Sequence, residues 1–328
     1  MRKYKWGIIA PGRMASKFAK ALKSLENVEL YAVASRNYEK AKNFAFEYGF
    51  TTAYGKYEEM AKDPNLDVVY IASPNKFHKE HTLMCLRNDK AVLCEKAFAT
   101  NYSEVKEMVE ASESRRVFLM EALWSLYQPF YKKAKEVLVS GVLGDIVQLN
   151  GFFSYLPDSS RWNQKCDMSL NSCSLHDIGI YPVIDALTFI GVPDEILVSA
   201  QFSHTGSEKS LNALFNYKDG KVATIYSSYC TNSGIGCLLM CEKGNMWVTR
   251  GRDMSQQVVV EVFGKEKQIF DYNPPVMGYH WEAQEVMRCL DNGLIESPVV
   301  PHSFSIDVIK VLDEIRRKAG IVFLYEKE

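Results

Sequence analysis

The first 121 residues alternate short apolar runs with helical stretches, and that rhythm limits what the chain can fold into. Lys5 to Ala10, Val28 to Ser35, Asp67 to Ala72, Ala91 to Glu95 and Val117 to Glu121 read as strands. Between them, Met14–Leu25, Tyr38–Tyr48, Tyr57–Lys62, His78–Asn88 and Ser103–Ser114 carry apolar residues at helical spacing. Consecutive strands separated by helices cannot pair as hairpins, so they form a parallel sheet covered on both faces, joined by right-handed crossovers. After Glu121 the pattern changes. A helix from Pro129 to Ser140 leads to a long strand, Ile146–Tyr155. Turn sequences then divide β-rich runs: Asn216–Gly220, Lys243-Gly244-Asn245 and Phe263-Gly264-Lys265. Helices at Tyr279–Leu290 and Ser303–Lys318 close the chain. The sequence predicts an α/β domain over 1–122 and an α+β domain with a mainly antiparallel sheet over 123–328.

At 328 residues each part can bury its own core. A formal net charge of −1 offers no electrostatic case for nucleic acid or an anionic membrane as partner. The uncharged stretch Val222–Cys241 is too rich in Ser, Thr, Asn and Gly to span a bilayer. The apolar run near the N-terminus is too short for a signal-peptide core. The 8 cysteines include no Cys-x-x-Cys pair and have no histidine suitably placed to complete a ligand set. They read as reduced, small apolar side chains of a cytoplasmic protein, with structural zinc the lesser alternative and no metal expected.

The first strand–helix junction is Ala10-Pro11-Gly12-Arg13-Met14-Ala15. It follows the dinucleotide pattern Gly-x-Gly-x-x-Gly/Ala with Ala10 at the first glycine. The pattern works because a tight turn brings backbone N–H groups and a helix N-terminus to the pyrophosphate. Ala10, Gly12, Arg13 and Met14 are therefore cofactor-binding candidates in a Rossmann domain. The second strand ends at Ser35-Arg36, where an NAD enzyme usually places an acid for the ribose hydroxyls. A guanidinium there suits a 2′-phosphate, so NADP(H) is favoured over NAD(H), the alternative.

Ligands of open α/β sheets lie beyond the carboxyl ends of the strands. Ser73-Pro74-Asn75 with His78, and Glu95-Lys96, occupy such ends. Lys96 can polarise a substrate oxygen. Much later, His176-Asp177-Ile178-Gly179-Ile180-Tyr181 opens an apolar stretch. On an α-helix Asp177 and Tyr181 share a face, with His176 about 100° away and the weaker candidate. A tyrosine facing a lysine can exchange a proton with an alcohol or carbonyl while hydride passes to or from nicotinamide.

Taken in order, Ala10–Ala15, Ala34-Ser35-Arg36, Ser73–His78, Val92–Lys96, Met120–Trp124 and Asp177–Tyr181 resemble the Gfo/Idh/MocA oxidoreductase superfamily, and within it the dimeric dihydrodiol dehydrogenase branch. The resemblance covers nearly the whole chain. It implies Lys96 as the catalytic lysine, Tyr181 as general acid/base and Asp177 as its companion. Trp124 would line the substrate site, Arg161 would contact substrate or structure, and Pro74, Asn75 and His78 would line the nicotinamide side. It also implies a homodimer or larger assembly through an open second-domain sheet. Three positions depart from the pattern: Ala97 replaces the proline of Glu-Lys-Pro, Asn171-Ser172-Cys173 replaces a Gly-rich stretch, and Leu126 stands where relatives carry arginine.

The expected function is NADP(H)-dependent hydride transfer at a secondary alcohol or carbonyl of a sugar, polyol or dihydrodiol. Two others share the scaffold, a non-catalytic NADP(H)-binding regulator and a nicotinamide-recycling glycosidase. Substrate identity, stereochemistry and direction are not encoded in these motifs.

Overall fold

In the computed structural model, which describes residues 2–251, 255–274 and 278–323, the chain forms two compact units. The first comprises residues 1–127 with 275–306, and the second 128–274 with 307–328. A single cut at 122/123 therefore does not describe the chain, because a late helix returns to the first unit.

In the first unit run β1 (Tyr4–Ile9), α1 (Arg13–Lys23), β2 (Val28–Ala34), α2 (Tyr38–Tyr48), β3 (Thr52–Tyr54) and α3 (Tyr57–Ala61). β4 (Val68–Ile71), α4 (His78–Arg87), β5 (Ala91–Glu95), α5 (Tyr102–Arg115) and β6 (Leu119–Ala122) follow. The strands form a six-stranded sheet in the order β3-β2-β1-β4-β5-β6, and every pairing is parallel. β4 and β5 are buried at every residue, as a sheet covered on both faces requires. α1 lays Ala15, Phe18, Ala19 and Leu22 against the sheet, and Phe18 stacks on Tyr70 of β4 at 3.9 Å between ring centroids. Burying such an aromatic side chain stabilises the fold by roughly 1.5–3 kcal/mol. Order reverses at β1, with β2 on one side and β4 on the other. The first turn and the β4 and β5 ends thus open at the topological switch point.

The second unit holds α6 (Pro129–Val139), β7 (Ile146–Ser154), α7 (Ser159–Lys165) and α8 (Ile180–Phe189). β8 (Glu195–Phe202), β9 (Glu208–Asn216), β10 (Val222–Ser228), β11 (Gly234–Cys241), β12 (Gly244–Arg250), β13 (Gln256–Val262) and β14 (Gln268–Tyr272) complete its sheet. α9 (His280–Asp291) belongs to the first unit, and α10 (His302–Ala319) ends in the second. The eight strands are ordered β14-β13-β12-β11-β7-β10-β9-β8. All pairs are antiparallel except β10 with β7. The three predicted hairpins are present. The middle one turns at Glu242-Lys243, with Gly244 already in β12, where a Cβ would meet Glu261 O of β13 at 2.1 Å. The edge strand β8 was not read from the sequence; its alternation is weak, with Ile196 buried and Val198 and Ala200 only half-buried on the same side.

Candidate active site

Building the nucleotide end starts at Ala10. Its φ is +63°, the left-handed region that glycine occupies freely and an L-residue enters at roughly 1–2 kcal/mol. The alanine nonetheless makes the turn, and its N–H donates to Ala34 O at 3.0 Å. Gly12 caps α1 in extended conformation, with no side-chain bond to the helix and no acidic residue in the first turn. The first N–H groups of α1, with Arg13 and Met14 leading the helix, are thus left for an anion, which is what a diphosphate needs. At the end of β2, buried Ser35 accepts from the N–H of Asn37 at 3.2 Å. Arg36 is exposed, with its guanidinium 5.7 Å from the Phe77 ring centroid. His81 lies at hydrogen-bond distance from Ser73 Oγ, 3.0 Å, and burial lowers its pKa to about 4.

The β4 and β5 ends are tied together by backbone carbonyls. Asn75 Nδ2 donates to Ala97 O at 2.7 Å, while its Oδ1 is buried without a partner. That orphaned acceptor fits a cofactor amide. The His78 ring nitrogens stand 3.0 Å from Ala97 O and 2.8 Å from Ser73 O. Burial holds His78 below the usual histidine range, and a neutral ring donates to one of these carbonyls at a time. His78 is thus a clasp between two loops. The Lys96–Ala97 peptide is cis although no proline follows the lysine.

Lys96 is partly buried beside carboxyl groups that burial drives toward the neutral form. Glu95 accepts from the Tyr70 hydroxyl, and its pKa is raised by desolvation against the pull of Lys96. Glu121 is pushed up to about 8 by burial, and Glu282 well above the ordinary range by burial and then by Glu95. Trp124 lies in a 3-10 turn, its ring 5.1 Å from that of Tyr279.

In the second unit, Leu175–Gly179 is a π-helical turn leading into α8. Asp177 sits in this wider turn and Tyr181 in the α-helix, so the simple i, i+4 spacing expected of one continuous α-helix does not hold. π turns of this kind recur at functional sites. Asp177 accepts from Lys165 of α7 and from the Tyr229 hydroxyl, the latter at 2.8 Å. Tyr181 places its ring 5.5 Å from Phe153 and 5.3 Å from the Arg250 guanidinium. Arg250 pairs with buried Asp185 at 3.0 Å, and burial raises Asp185 to about 6. Tyr155 continues the aromatic wall, 6.1 Å from Phe153 and 5.6 Å from Tyr229. Gly179 is required by packing: a Cβ there would lie 2.9 Å from Ser227 Oγ. Asn171 stands at φ +55°, adopting the left-handed turn without glycine.

His176 is buried, its ring 5.2 Å from Phe323 and edge-on. Arg161 donates its backbone N–H to Asp158, which caps α7. Lys165, Tyr229, Phe153 and Arg250 were not singled out from the sequence. Asp177 lies 12 residues from Lys165 and 52 from Tyr229, and no local motif links them.

A switch-point turn of this form, opening onto a helix N-terminus suited to diphosphate, is the architecture of a dinucleotide-binding domain. The model of the oxidoreductase family with an NAD-binding Rossmann fold matches residues 4–123, and that of the Gfo/Idh/MocA C-terminal domain residues 131–247. The chain belongs to this Gfo/Idh/MocA family and is an NAD(P)-dependent dehydrogenase acting on CH–OH groups. It is 35% identical to trans-1,2-dihydrobenzene-1,2-diol dehydrogenase of Mus musculus, over 98% of this chain and 99% of that protein. The Xenopus tropicalis enzyme of the same name is 32% identical, over 97% and 99%. Among solved structures, an aldose-aldose oxidoreductase from Caulobacter crescentus, complexed with glycerol, shares the fold with a TM-score of 0.87 at 21% identity, over 97% and 98% of the chains. A 3-ketoreductase from Actinomadura kijaniata, in complex with NADP and TDP-benzene, does so with a TM-score of 0.85 at 21% identity, over 97% and 98%.

Proposed function

We propose that this dehydrogenase uses NADP(H) and acts on a secondary alcohol, or the matching carbonyl, of a cyclic substrate, with a dihydrodiol favoured over a sugar or open polyol. The observation that carries this reading is the pairing of Asp177, Lys165 and Tyr229 with an aromatic wall of Phe153, Tyr155 and Tyr181. The polar group suits hydroxyls, and the wall suits the face of an unsaturated ring. The relatives named for trans-1,2-dihydrobenzene-1,2-diol support the same class.

The bound cofactor supplies or accepts the hydride. Tyr181 exchanges the proton of the reacting hydroxyl, and Lys96 supplies positive charge that favours the alkoxide. Asp177, oriented by Lys165 and Tyr229, holds a substrate hydroxyl. Trp124, Arg161 and, more weakly, His176 are read as substrate contacts. Ser73, Pro74, Asn75 and Glu95 are assigned to the nicotinamide end, directly or through the loops they fix. Arg36 and Ser35 are assigned to the 2′-phosphate, with Phe77 as a neighbouring apolar surface.

Pairing of two copies through the open sheet of the second unit is proposed on the resemblance to the family alone. All 8 cysteines are free thiols, which supports a reducing, cytoplasmic setting. Among the described residues no helix is long and apolar enough to cross a membrane.

The test is oxidation of trans-1,2-dihydrobenzene-1,2-diol with NADP+ and NAD+, by the unaltered chain and by Tyr181→Phe, Lys96→Met and Arg36→Ala. Tyr181→Phe is expected to lower kcat by about 10²- to 10⁴-fold with NADPH affinity retained. Arg36→Ala should weaken NADP+ and spare NAD+. Normal turnover in both Tyr181→Phe and Lys96→Met would refute their roles, and equal use of the two cofactors by the unaltered chain would remove the NADP assignment.

A further inference from the structure

The π turn bearing Asp177 is anchored from outside its own helix. No side chain of its own caps it at Ser174. Instead the Leu175 N–H donates to Oε2 of Glu208 at 2.9 Å, and the Ser174 hydroxyl donates to Oε1 at 2.6 Å. Ser174 Oγ also lies 2.9 Å from Ser227 Oγ, and Ser227 is the side chain against which Gly179 fits without a Cβ. Glu208, Ser174 and Ser227 are each 0% exposed. Three buried groups from β9, β10 and the segment itself thus grip the turn at its first residue and its last. Two positions beyond Ser227, Tyr229 bonds both Asp177 and the Cys173 carbonyl, at 2.8 and 3.2 Å.

A carboxyl in this place is costly. Burial raises Glu208 to about 7 even with both donors in hand. The nearby thiols of Cys166 and Cys173 are pushed up by burial and stay neutral, so they add no like charge and offer no positive one. A glutamate kept at such a position needs a task that an apolar side chain could not perform, and its two acceptors point at the backbone that starts the Asp177–Tyr181 segment.

We infer that Glu208 is a positioning residue of the dehydrogenase: by accepting from Leu175 and Ser174 it sets the phase of the π turn and with it the aim of Asp177 and Tyr181. This rests on the roles proposed above for those two residues. The hydrogen-bond pattern, more than the charge, is what matters. A glutamine can accept from Leu175 with its oxygen and donate to Ser174, whose hydroxyl then turns to Ser227.

Steady-state oxidation of trans-1,2-dihydrobenzene-1,2-diol with NADP+ tests it, on the full chain, Glu208→Gln, Glu208→Ala, Tyr181→Phe and the Glu208→Ala/Tyr181→Phe double variant. Glu208→Gln should stay within about threefold of normal kcat. Glu208→Ala should lose about 30- to 100-fold in kcat with the KM for NADP+ unchanged, the scale of a misaimed catalytic group. On the Tyr181→Phe background the same change should cost less than about threefold, because both act through one segment. The inference fails if Glu208→Ala turns over normally, multiplies the Tyr181→Phe loss in full, or raises the NADP+ KM in step. Should Glu208→Ala not fold, Ser174→Ala carries the same comparison with about a fivefold loss, one donor of two being removed. A separate result, no diol turnover by the unaltered chain or normal turnover by Tyr181→Phe, removes the reading of substrate or tyrosine and this inference with it.

Discussion

Lys165 shows how one side chain can escape a linear reading and still govern a site. Its ammonium and the Tyr229 hydroxyl converge on Oδ2 of Asp177, and the lysine side chain is 17% exposed in this ion pair. Removing one partner of a largely buried pair leaves the other charge poorly compensated. Lys165→Met is expected to lower kcat/KM for the alcohol by about tenfold or more while NADP+ affinity holds. Unchanged kcat/KM in that variant would reduce the ion pair to surface decoration. At the same scale, Ala10 and Lys96 were legible because each follows a strand end at a recognisable motif. Lys165 was not, since its partners come from other elements, and neither was Arg250, whose relation to Tyr181 exists only once β12 and α8 are packed.

The elements of the first unit were the most readable part of the chain. Parallel strands buried on both faces are continuously apolar, and the helices between them repeat apolar residues at the right spacing, as in Ala41, Phe44, Ala45 and Tyr48 of α2. The second unit was legible at its hairpins, where Gly220 and Gly264 adopt φ of +87° and +79°, and silent at β8 and at the π turn. A π turn leaves no periodic mark over five residues, because the long-range contacts at Glu208 and Ser227 impose it. Gly179 is the exception, a residue whose identity the turn dictates. Gly179→Ala would force its Cβ to 2.9 Å from Ser227 Oγ. Overpacking of this kind destabilises by about 1–3 kcal/mol. Thermal unfolding of Gly179→Ala should therefore show a lowered Tm that Ser227→Gly partly restores, and an unchanged Tm would mean that the turn has slack.

The molecule as a whole carries buried acids whose pKa values are raised: Asp185 to about 6, Glu208 to about 7 and Glu121 to about 8. For each, the folded state holds its proton more tightly than the unfolded chain. Their contribution to stability is complete below the ordinary carboxyl range and is lost as pH rises through these values. The lowered histidines His78 and His81 act in the opposite sense, below their ordinary value of 6.5. Between pH 6.5 and 8 the histidine contribution fades as the unfolded imidazoles lose their protons, the carboxyls set most of the slope, and Tm should fall across that window. Glu121→Gln should flatten the fall by at least about 2 °C, as expected for a change of order 1 kcal/mol. A Tm that rises from pH 6.5 to 8 would contradict the burial of these groups.

Because residues 275–306 return to the first unit, the β6 edge of its sheet is covered by chain made after all the strands of the second unit. The Tyr4 hydroxyl donates to Asp291 at 2.6 Å, Leu119 N–H donates to Ile295 O at 3.0 Å, and His302 Nε2 lies 2.9 Å from Leu119 O. A ribosome that has released only the nucleotide-binding sequence has therefore made an unfinished fold, with the edge at β6 still uncovered. Exchange of parts between relatives, in evolution or by recombination, then requires two splice points for every graft, and a fragment ending at residue 127 should aggregate where the full chain stays dispersed.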